Sequence, residues 1–178
     1  ILAELDYEQE AHNMAALARH LRHVPGVVVP LPVNDYTTGR VLTMDYVSGT
    51  KITAVSPVEW TEVDGRALAE ALFRAYLQQI LVDGFFHADP HPGNVLLTAD
   101  HRLGLVDVGM IGRLSTALQE RLFRLLLAIA AGDDTEAAIV VVALGEALDG
   151  FDEASMRRSV TALVSQRDQR PGALNGGR

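Results

Sequence analysis

The stretch HADPHPGN, at residues 87–94, is the most informative part of this chain, together with the sequence DVG at residues 107–109. The two stretches contain a carboxylate at Asp89, an amide at Asn94 and a second carboxylate at Asp107. A positioned carboxylate can take a proton from a hydroxyl group, and amide and carboxylate oxygens are hard ligands that suit Mg²⁺. The pattern H-x-D-x-x-x-x-N followed by D-x-G is typical of phosphoryl transfer from ATP. It predicts Asp89 as the catalytic residue and Asn94 and Asp107 as ligands of Mg²⁺.

The elements expected around this pattern would bring the three side chains to one rim. Apolar residues recur every three or four positions from Ala67 to Val82, which predicts an amphipathic helix. Gly84 follows where a left-handed residue commonly ends a helix. Apolar runs at residues 94–97 and 103–108, separated by a polar turn, predict two short strands. We therefore expect a helix, a loop that carries Asp89, and a hairpin.

A zinc site is the rival interpretation of the same stretch. His87, Asp89 and His91 alternate in sequence, so on a strand they would share one face, and imidazole and carboxylate groups are zinc ligands. Pro90 and Pro92 disfavour a regular strand, because proline has no N–H group to donate to a strand ladder. The other histidines show no recognisable ligand spacing. The sequence therefore favours the phosphoryl-transfer interpretation.

Three stretches resemble the UbiB/AarF family of atypical protein-kinase-like proteins. Residues 83–96 resemble the catalytic loop of that family. Residues 4–11 resemble its E-x-D motif and the helix that this motif opens, and residues 43–49 resemble its hinge strand. The resemblance runs from about Glu4 to Leu114 and continues less specifically through the helices beyond. It implies an α+β, protein-kinase-like fold with a mostly helical C-lobe and the remnant of a β-containing N-lobe.

The resemblance also implies roles for residues near the start of the chain. Glu10 matches the αC-helix glutamate, which pairs in such proteins with a nucleotide-binding lysine on strand β3. Glu4 and Asp6 match the E-x-D pair, which contacts a K-x-G-Q extension that folds over the active site. Without the resemblance, these acids would be interpreted as the charged first turn of a helix, where they complement the helix dipole.

A hinge is predicted at residues 40–46, which are mostly apolar and strand-like. A kinase hinge offers main-chain groups to the adenine ring, and we expect the carbonyl of Asp45 and the N–H of Val47 to do so. Met44 would then be the gatekeeper at the back of the pocket. The alternative is an ordinary buried strand in which Met44 fills space.

The predicted domain organisation has two lobes and a tail. Residues 1–47 would form the N-lobe remnant and hinge, residues 48–166 the C-lobe, and residues 167–178 a disordered tail. The only lysine, Lys51, follows the hinge and does not match the β3 lysine. We therefore expect the chain to be a fragment or truncated product that alone binds ATP poorly. Its helices are expected near residues 1–23, 67–82, 116–131, 134–148 and 152–166, a further helix is expected to start at Ser56, and short strands are expected to begin near residues 27–29.

Departures from the common kinase pattern bear on the substrate. Ala88 stands where most protein kinases have an arginine that binds a phosphorylated activation loop, and Val108 replaces the phenylalanine of D-F-G. Only residues 110–114 lie between the D-x-G pattern and Ser115, a good N-cap. This short segment favours water or a compact acceptor. The resemblance links the protein to quinone lipid biosynthesis with ATP and Mg²⁺ as cofactors. An aminoglycoside-kinase-type phosphotransferase and a non-catalytic nucleotide-sensing scaffold remain alternatives.

Composition limits the possible partners and location. The 178 residues suffice for about one domain, and the absence of cysteine excludes disulfides and thiolate metal sites. The net charge of −8 and the pI of about 5.1 disfavour nucleic-acid binding. The longest apolar run, residues 137–144, is too short to cross a bilayer. We expect a cytoplasmic protein whose partners are a nucleotide and, at a membrane surface, lipid- or quinone-pathway proteins.

Overall fold

The computed structural model describes residues 6–145 and 151–168, and the chain divides into two compact units. The first unit extends to Leu114 and the second begins at Ser115. Both helices and strands are present, so the predicted α+β class is confirmed. The expected lobe boundary between residues 47 and 48 stays a prediction, and most of the expected tail lies outside the described residues.

Helices of the first unit begin at polar caps that the sequence makes recognisable. Helix α1 spans Tyr7–Leu21, and the Asp6 side chain caps it. Helix α2 spans Pro57–Thr61 and begins with a capping box between Ser56 and Glu59. Short 3₁₀ helices lie at Asn34–Tyr36, Ile52–Ala54 and Pro92–Asn94.

The helix expected at residues 67–82 exists but has two parts. Helix α3 spans Gly65–Leu77, and a π-helix continues it over Gln78–Asp83. Gly84 ends the π-helix with a φ of +60°, as its position predicted. The change of helix type was not predicted, because apolar spacing does not distinguish the two helix types over a single turn.

Among the described residues of the first unit, six short strands form two sheets: β1 Val27–Val28, β2 Gly49–Lys51, β3 Phe85–His87, β4 Val95–Thr98, β5 Leu103–Leu105 and β6 Ile111–Arg113. The larger sheet has the order β1-β5-β4-β2, in which only the β1–β5 pair is parallel. The predicted hairpin is the antiparallel β4–β5 pair. Strands β3 and β6 form a separate antiparallel ribbon that was not predicted.

Two strand predictions require correction. Strand β5 ends at Leu105 and not at Val108, because its pairing with β4 stops where Val95 faces Leu105. The predicted hinge strand at residues 40–46 is reduced to isolated bridges at Val41 and Met44. Local side-chain hydrogen bonds replace the strand ladder there.

The competing hydrogen bonds of the hinge region centre on two threonines. The Thr37 hydroxyl lies within hydrogen-bonding distance of the Val33 carbonyl and accepts the N–H of Thr43. The Thr43 hydroxyl donates to the Tyr36 carbonyl at 2.7 Å. These bonds fold the chain into compact turns, so residues 37–43 do not extend into a regular strand.

One hydrophobic core supports the first unit and positions the loops after its strands. Helix α1 contributes Met14 and Leu17, both fully buried, and β5 contributes Leu105. Val108 of the DVG stretch is also fully buried in this core. The segment that carries Asp107 is therefore anchored on a residue that contacts no solvent.

The second unit is helical. Helix α4 spans Thr116–Ala131, as predicted, and Gly132 ends it with a φ of +71°. Helix α5 spans Asp134–Leu144, and α6 spans Glu153–Asp168. The prediction that α5 extends to residue 148 is wrong, because the helix ends at Leu144 with Gly145 in an extended conformation as its C-cap. The expected role of Gly150 lies outside the described residues. A small core includes the buried side chains of Ala128, Ala137 and Val164.

The helices can also be compared with what a membrane-spanning segment requires. Within residues 6–145 and 151–168, every helix falls short of the length or hydrophobicity that a bilayer-crossing helix needs.

Candidate active site

The side chains of Asn94 and Asp107 meet beside the open end of the β4–β5 hairpin. Asn94 immediately precedes β4, and Asp107 lies two residues after β5. The Asn94 Nδ2 group donates a hydrogen bond of 2.7 Å to Oδ2 of Asp107. The N–H of Gly109 donates to the other carboxylate oxygen at 3.0 Å. The Asp107 carboxylate is thus oriented by the Asn94 side chain and by the main chain of its own loop at Gly109.

Asp89 lies on the loop between β3 and the hairpin. This loop is a series of tight turns in which His91 N–H donates to the Asp89 carbonyl at 2.7 Å and Asn94 N–H donates to the His91 carbonyl at 2.9 Å. The Asp89 side chain is exposed, and among the described residues its carboxylate accepts no hydrogen bond. It is therefore available to a hydroxyl group or a water molecule.

The zinc interpretation finds no support in the described part of the chain. No group of three histidine, cysteine, aspartate or glutamate side chains there is arranged to hold a metal ion. His87 is buried, and the Nδ1 atom of His91 accepts the N–H of Gly93 at 3.0 Å. A Mg²⁺ ion bound through a nucleotide does not need three such side chains, because phosphates and water complete its coordination.

Glu10 connects helix α1 to the DVG stretch. Its Oε1 atom lies 3.5 Å from the N–H of Val108, at the outer limit of a hydrogen bond. Burial raises the pKa of the Glu10 carboxyl above its usual value, and the nearby negative charge of Asp107 raises it further. Glu10 and Asp107 thus form an acidic pair, and a cation between or beside them would reduce the repulsion between their charges.

The predicted hinge residues lie along one edge of the core. Met44 is half-buried against the core and forms an isolated bridge with Pro32. The Asp45 N–H donates to the Leu31 carbonyl at 2.9 Å. Among the described residues, neither the carbonyl of Asp45 nor the N–H of Val47 has a hydrogen-bond partner. These are the two main-chain groups that were expected to face an adenine ring.

A cavity of about 350 Å³ adjoins this hinge on the side of the hairpin turn. Val47, Thr98 and Arg102 are among its lining residues, whereas Asn94 and Asp107 are not. The cavity therefore adjoins the expected adenine contact at Val47 but does not include the expected metal ligands.

The E-x-D residues are placed only in part. Glu4 lies outside the described residues. Asp6 caps α1, and its Oδ1 atom accepts the N–H groups of Glu8 at 3.1 Å and Gln9 at 3.3 Å. The position of the Asp6 side chain is therefore explained by helix capping alone. The roles that the family resemblance implies for Glu4 and Asp6 stay predictions.

Sequence reasoning missed two side chains next to the loop that carries Asp89. The Tyr76 hydroxyl donates to the His87 carbonyl at 3.4 Å, and Oε1 of Gln79 accepts the His87 N–H at 2.9 Å. In sequence, Tyr76 fits the apolar pattern of residues 67–82, which predicts a helix and no polar role for this side chain. A glutamine on the buried face of a helix was the available signal, since a buried amide needs hydrogen-bond partners.

The donor set of the site fits a Mg²⁺ ion that carries nucleotide phosphates. Asp107 offers a carboxylate, and the Asn94 carbonyl oxygen is not used in the bond between the two residues. Both are hard oxygen ligands, and the acidic pair of Glu10 and Asp107 supplies negative charge that attracts a cation.

Comparisons with known proteins show the family to which this chain belongs. Residues 1–141 match the model of the ABC1 atypical kinase-like domain. The chain is 34% identical over 172 residues to the protein Activity of BC1 Complex Kinase 8, chloroplastic, of Arabidopsis thaliana, covering 96% of this chain and 23% of that protein. It is 37% identical over 129 residues to the protein named "Probable protein kinase UbiB" of Marinobacter nauticus, covering 70% of this chain and 24% of that protein.

A solved structure supports the fold alone. The complex of Rv3197 with erythromycin, from Mycobacterium tuberculosis, superimposes with a TM-score of 0.55 at 22% identity, covering 84% of this chain and 38% of that one. The chain spans about a quarter of the length of the two curated relatives. The predicted kinase-like fold is confirmed, and the chain belongs to the family of ABC1 atypical kinase-like domains.

Proposed function

We propose that this chain forms the catalytic and metal-binding part of an ATP-dependent phosphotransferase or ATPase. The observation that carries the proposal is the 2.7 Å hydrogen bond between Asn94 and Asp107. It joins two hard-oxygen side chains five and eighteen residues after Asp89 in one compact unit. Phosphoryl transfer needs a base on one side of the phosphate and metal ligands on the other, and these three residues supply both kinds of group.

Nucleotide binding would use the hinge and the acidic pair. The carbonyl of Asp45 and the N–H of Val47 would accept and donate the hydrogen bonds of the adenine edge, and Met44 would close the back of the pocket. Glu10 would orient a cationic group toward the phosphates. Asn94 and Asp107 would hold the Mg²⁺ ion, which would neutralise part of the negative charge of the phosphates.

The chemical step would transfer the γ-phosphoryl group to an oxygen nucleophile. The bond between the γ-phosphorus and the bridging oxygen breaks, and a new bond forms from the phosphorus to the acceptor oxygen. Asp89 would orient the acceptor and take its proton, while the leaving electrons stay on ADP. Because Asp89 is exposed and its carboxylate is free of hydrogen bonds among the described residues, it can meet a small acceptor without a rearrangement.

The acceptor class follows from the short segment after the DVG stretch and from the family. Strand β6 begins two residues after Gly109, so few residues remain to lay out a peptide substrate. We propose water or a small lipid-related hydroxyl compound as acceptor, and a supporting role in quinone or isoprenoid lipid biosynthesis. The full-length protein would act in the cytoplasm or at a membrane surface, beside lipid- or quinone-pathway proteins.

Phosphate release from Mg-ATP by the full-length protein tests this proposal. Asp89→Asn should lower kcat by about 10²- to 10⁴-fold, because the base is lost, while Mg-ATP binding is retained. Asp35→Asn is the matched control, since Asp35 is an exposed acid on a 3₁₀ helix and is not part of this loop. Hydrolysis by Asp89→Asn at the rate of the wild type would refute the assigned role.

A further inference from the structure

The main chain of His87 is held by side chains on one edge and by a strand on the other. His87 is the last residue of β3, which pairs with β6, and Ala88 N–H continues that pairing to the Met110 carbonyl at 2.9 Å. The N–H and the carbonyl of His87 itself are satisfied by Gln79 and Tyr76. The N–H and the carbonyl of His87, two residues before Asp89, are therefore both bound by side chains of one continuous helical segment.

Gln79 is a buried amide whose two ends are both used. Its side chain is fully inaccessible to solvent. Its Nε2 group donates to the Ala75 carbonyl at 3.0 Å, and its Oε1 atom accepts the His87 N–H at 2.9 Å. A buried amide with both ends bonded resists rotation, because any rotation leaves a polar group without a partner. Gln79 thus fixes the distance between the helical segment and the loop.

Gln79 lies in the π-helix rather than in regular α-helix. The π-helix of residues Gln78–Asp83 begins directly after α3, which carries Tyr76. Single π-turns within helices are frequent at functional sites. Tyr76 and Gln79, the two side chains that reach His87, therefore lie on either side of the junction between α3 and the π-helix. An irregular helix turn at this place fits a functional role.

Tyr76 remains a hydrogen-bond donor at physiological pH. Burial raises the pKa of its hydroxyl to about 12, and the negative charge of Asp89 contributes to the rise. Tyr76 is therefore within electrostatic reach of Asp89 while its hydroxyl donates to the His87 carbonyl. The ring of His87 adds a third contact, since its Nδ1 atom lies 3.4 Å from the Met110 carbonyl.

We propose that Tyr76 and Gln79 are positioning residues of the catalytic loop. They fix the His87 peptide from the helix side, and this fixes the direction in which Asp89 leaves the loop. The catalytic consequence rests on the proposed function of Asp89, whereas the hold on the loop does not. Neither residue is expected to touch the nucleotide or the acceptor.

Hydrogen–deuterium exchange in the full-length protein tests the hold on the loop directly. Tyr76→Phe keeps the ring and removes the hydroxyl, and Gln79→Met keeps the side-chain volume and removes both bonds. Tyr76→Phe should accelerate exchange in residues 87–94 by about 3- to 10-fold, which is the effect of losing one net hydrogen bond. Gln79→Met should accelerate it by at least as much, because it removes two bonds. Exchange in the second unit should be unchanged.

Matched controls separate this effect from a general loss of stability. Tyr36→Phe removes an exposed hydroxyl, and Gln78→Met removes a neighbouring amide that donates to Asp83 and not to the loop. Both should leave exchange in residues 87–94 as in the wild type. Wild-type exchange in this peptide for Tyr76→Phe and Gln79→Met would overturn the proposal.

Steady-state kinetics test the consequence for Asp89. Tyr76→Phe should lower kcat for ATP turnover by about 3- to 10-fold and leave KM for ATP unchanged, because the nucleotide contacts are elsewhere. An unchanged kcat beside faster loop exchange would overturn the link to Asp89. If the wild-type protein shows no ATP turnover, the proposed function fails, and the exchange experiment still decides whether Tyr76 and Gln79 hold the loop.

Discussion

The Nδ2 atom of Asn94 lies 2.7 Å from Oδ2 of Asp107, although thirteen residues separate them in sequence. The β4–β5 hairpin creates this proximity, because Val95 faces Leu105 and the two residues lie just beyond that last pair. The bond requires a donor at position 94 and an acceptor at position 107. An amide and a neighbouring carboxylate can bind one cation together. Two carboxylates at this distance would repel each other when no cation is bound.

The first prediction concerns Asn94→Asp, which replaces the hydrogen bond with two like charges. Like charges about 4 Å apart in water repel by about 1 kcal/mol, so the melting temperature without divalent cation should fall by a few degrees. Added Mg²⁺ should raise the melting temperature of this variant more than that of the wild type, because the cation screens the new repulsion. Differential scanning fluorimetry with and without Mg²⁺ measures both effects.

Asn34→Asp is the control for this experiment, since Asn34 is exposed at the start of a 3₁₀ helix. It should show no extra gain from Mg²⁺. An equal gain for the wild type and Asn94→Asp would indicate that no cation binds beside Asp107.

The second prediction concerns Gly104, which faces the predicted hinge. A Cβ atom at Gly104 would lie 2.9 Å from Cγ1 of Val47 and 3.4 Å from Cβ of Leu96. Gly104→Ala should therefore displace Val47 and cost about 1–3 kcal/mol of unfolding free energy, as overpacking commonly does. Because the Val47 N–H is the expected donor to adenine, ATP affinity should fall as well.

Chemical denaturation and calorimetric titration with Mg-ATP measure these two quantities for Gly104→Ala. Gly39→Ala is the matched control, since a Cβ atom there would meet nothing within 4 Å. Lost stability with unchanged ATP affinity would indicate that Val47 does not contact the nucleotide.

The third prediction concerns the pH dependence of the α2 helix start. The Ser56 N–H donates to Oε2 of Glu59 at 2.8 Å, and the Glu59 N–H donates to the Ser56 hydroxyl oxygen at 3.2 Å. The backbone bond from Ser56 holds the pKa of the Glu59 carboxyl below its usual value of 4.5, and the Ser56 side chain lowers it further. The stabilisation is present above the usual pKa and is lost as the pH falls through the lowered value.

Glu59→Gln keeps a hydrogen-bond acceptor and removes the charge, so it should be less stable than the wild type at neutral pH. The difference should begin to shrink below pH 4.5 and should be lost as the pH falls through the lowered pKa of Glu59, where the folded wild-type carboxyl becomes protonated. Thermal melts across this range provide the test, with Glu62→Gln, a change in an exposed acid just after the helix, as control. A difference that is independent of pH would exclude the charged capping bond as its cause.

Features specified by short local signals could be predicted from the sequence. Gly84 and Gly132 each end a helix with a positive φ, and Ser56 begins one with a capping box. The contact between Asn94 and Asp107 was also foreseeable, because the hairpin between them has a polar turn and two apolar arms. In each case the deciding residues lie close together in sequence.

Features specified by competition between hydrogen bonds could not be predicted. The Thr37 hydroxyl accepts the Thr43 N–H and so removes it from the strand that the apolar pattern of residues 40–46 predicted. The role of Gln79 depends on a partner eight residues away, the His87 N–H, which no periodicity indicates. The role of Glu10 beside Val108 depends on a contact across 98 residues and was indicated only by family resemblance.

The most direct measurement is calorimetric titration of the full-length protein and of Asp107→Asn with a non-hydrolysable ATP analogue, in the presence and absence of Mg²⁺. The wild type should bind tightly only with Mg²⁺, and a hundredfold ligand excess over Kd should then stabilise the fold by about 2.7 kcal/mol. Asp107→Asn should lose the Mg²⁺-dependent part, because one anionic ligand of the metal is gone, while Asp35→Asn should bind like the wild type. Undiminished Mg²⁺-dependent binding by Asp107→Asn would contradict the assignment of Asn94 and Asp107 as the metal site.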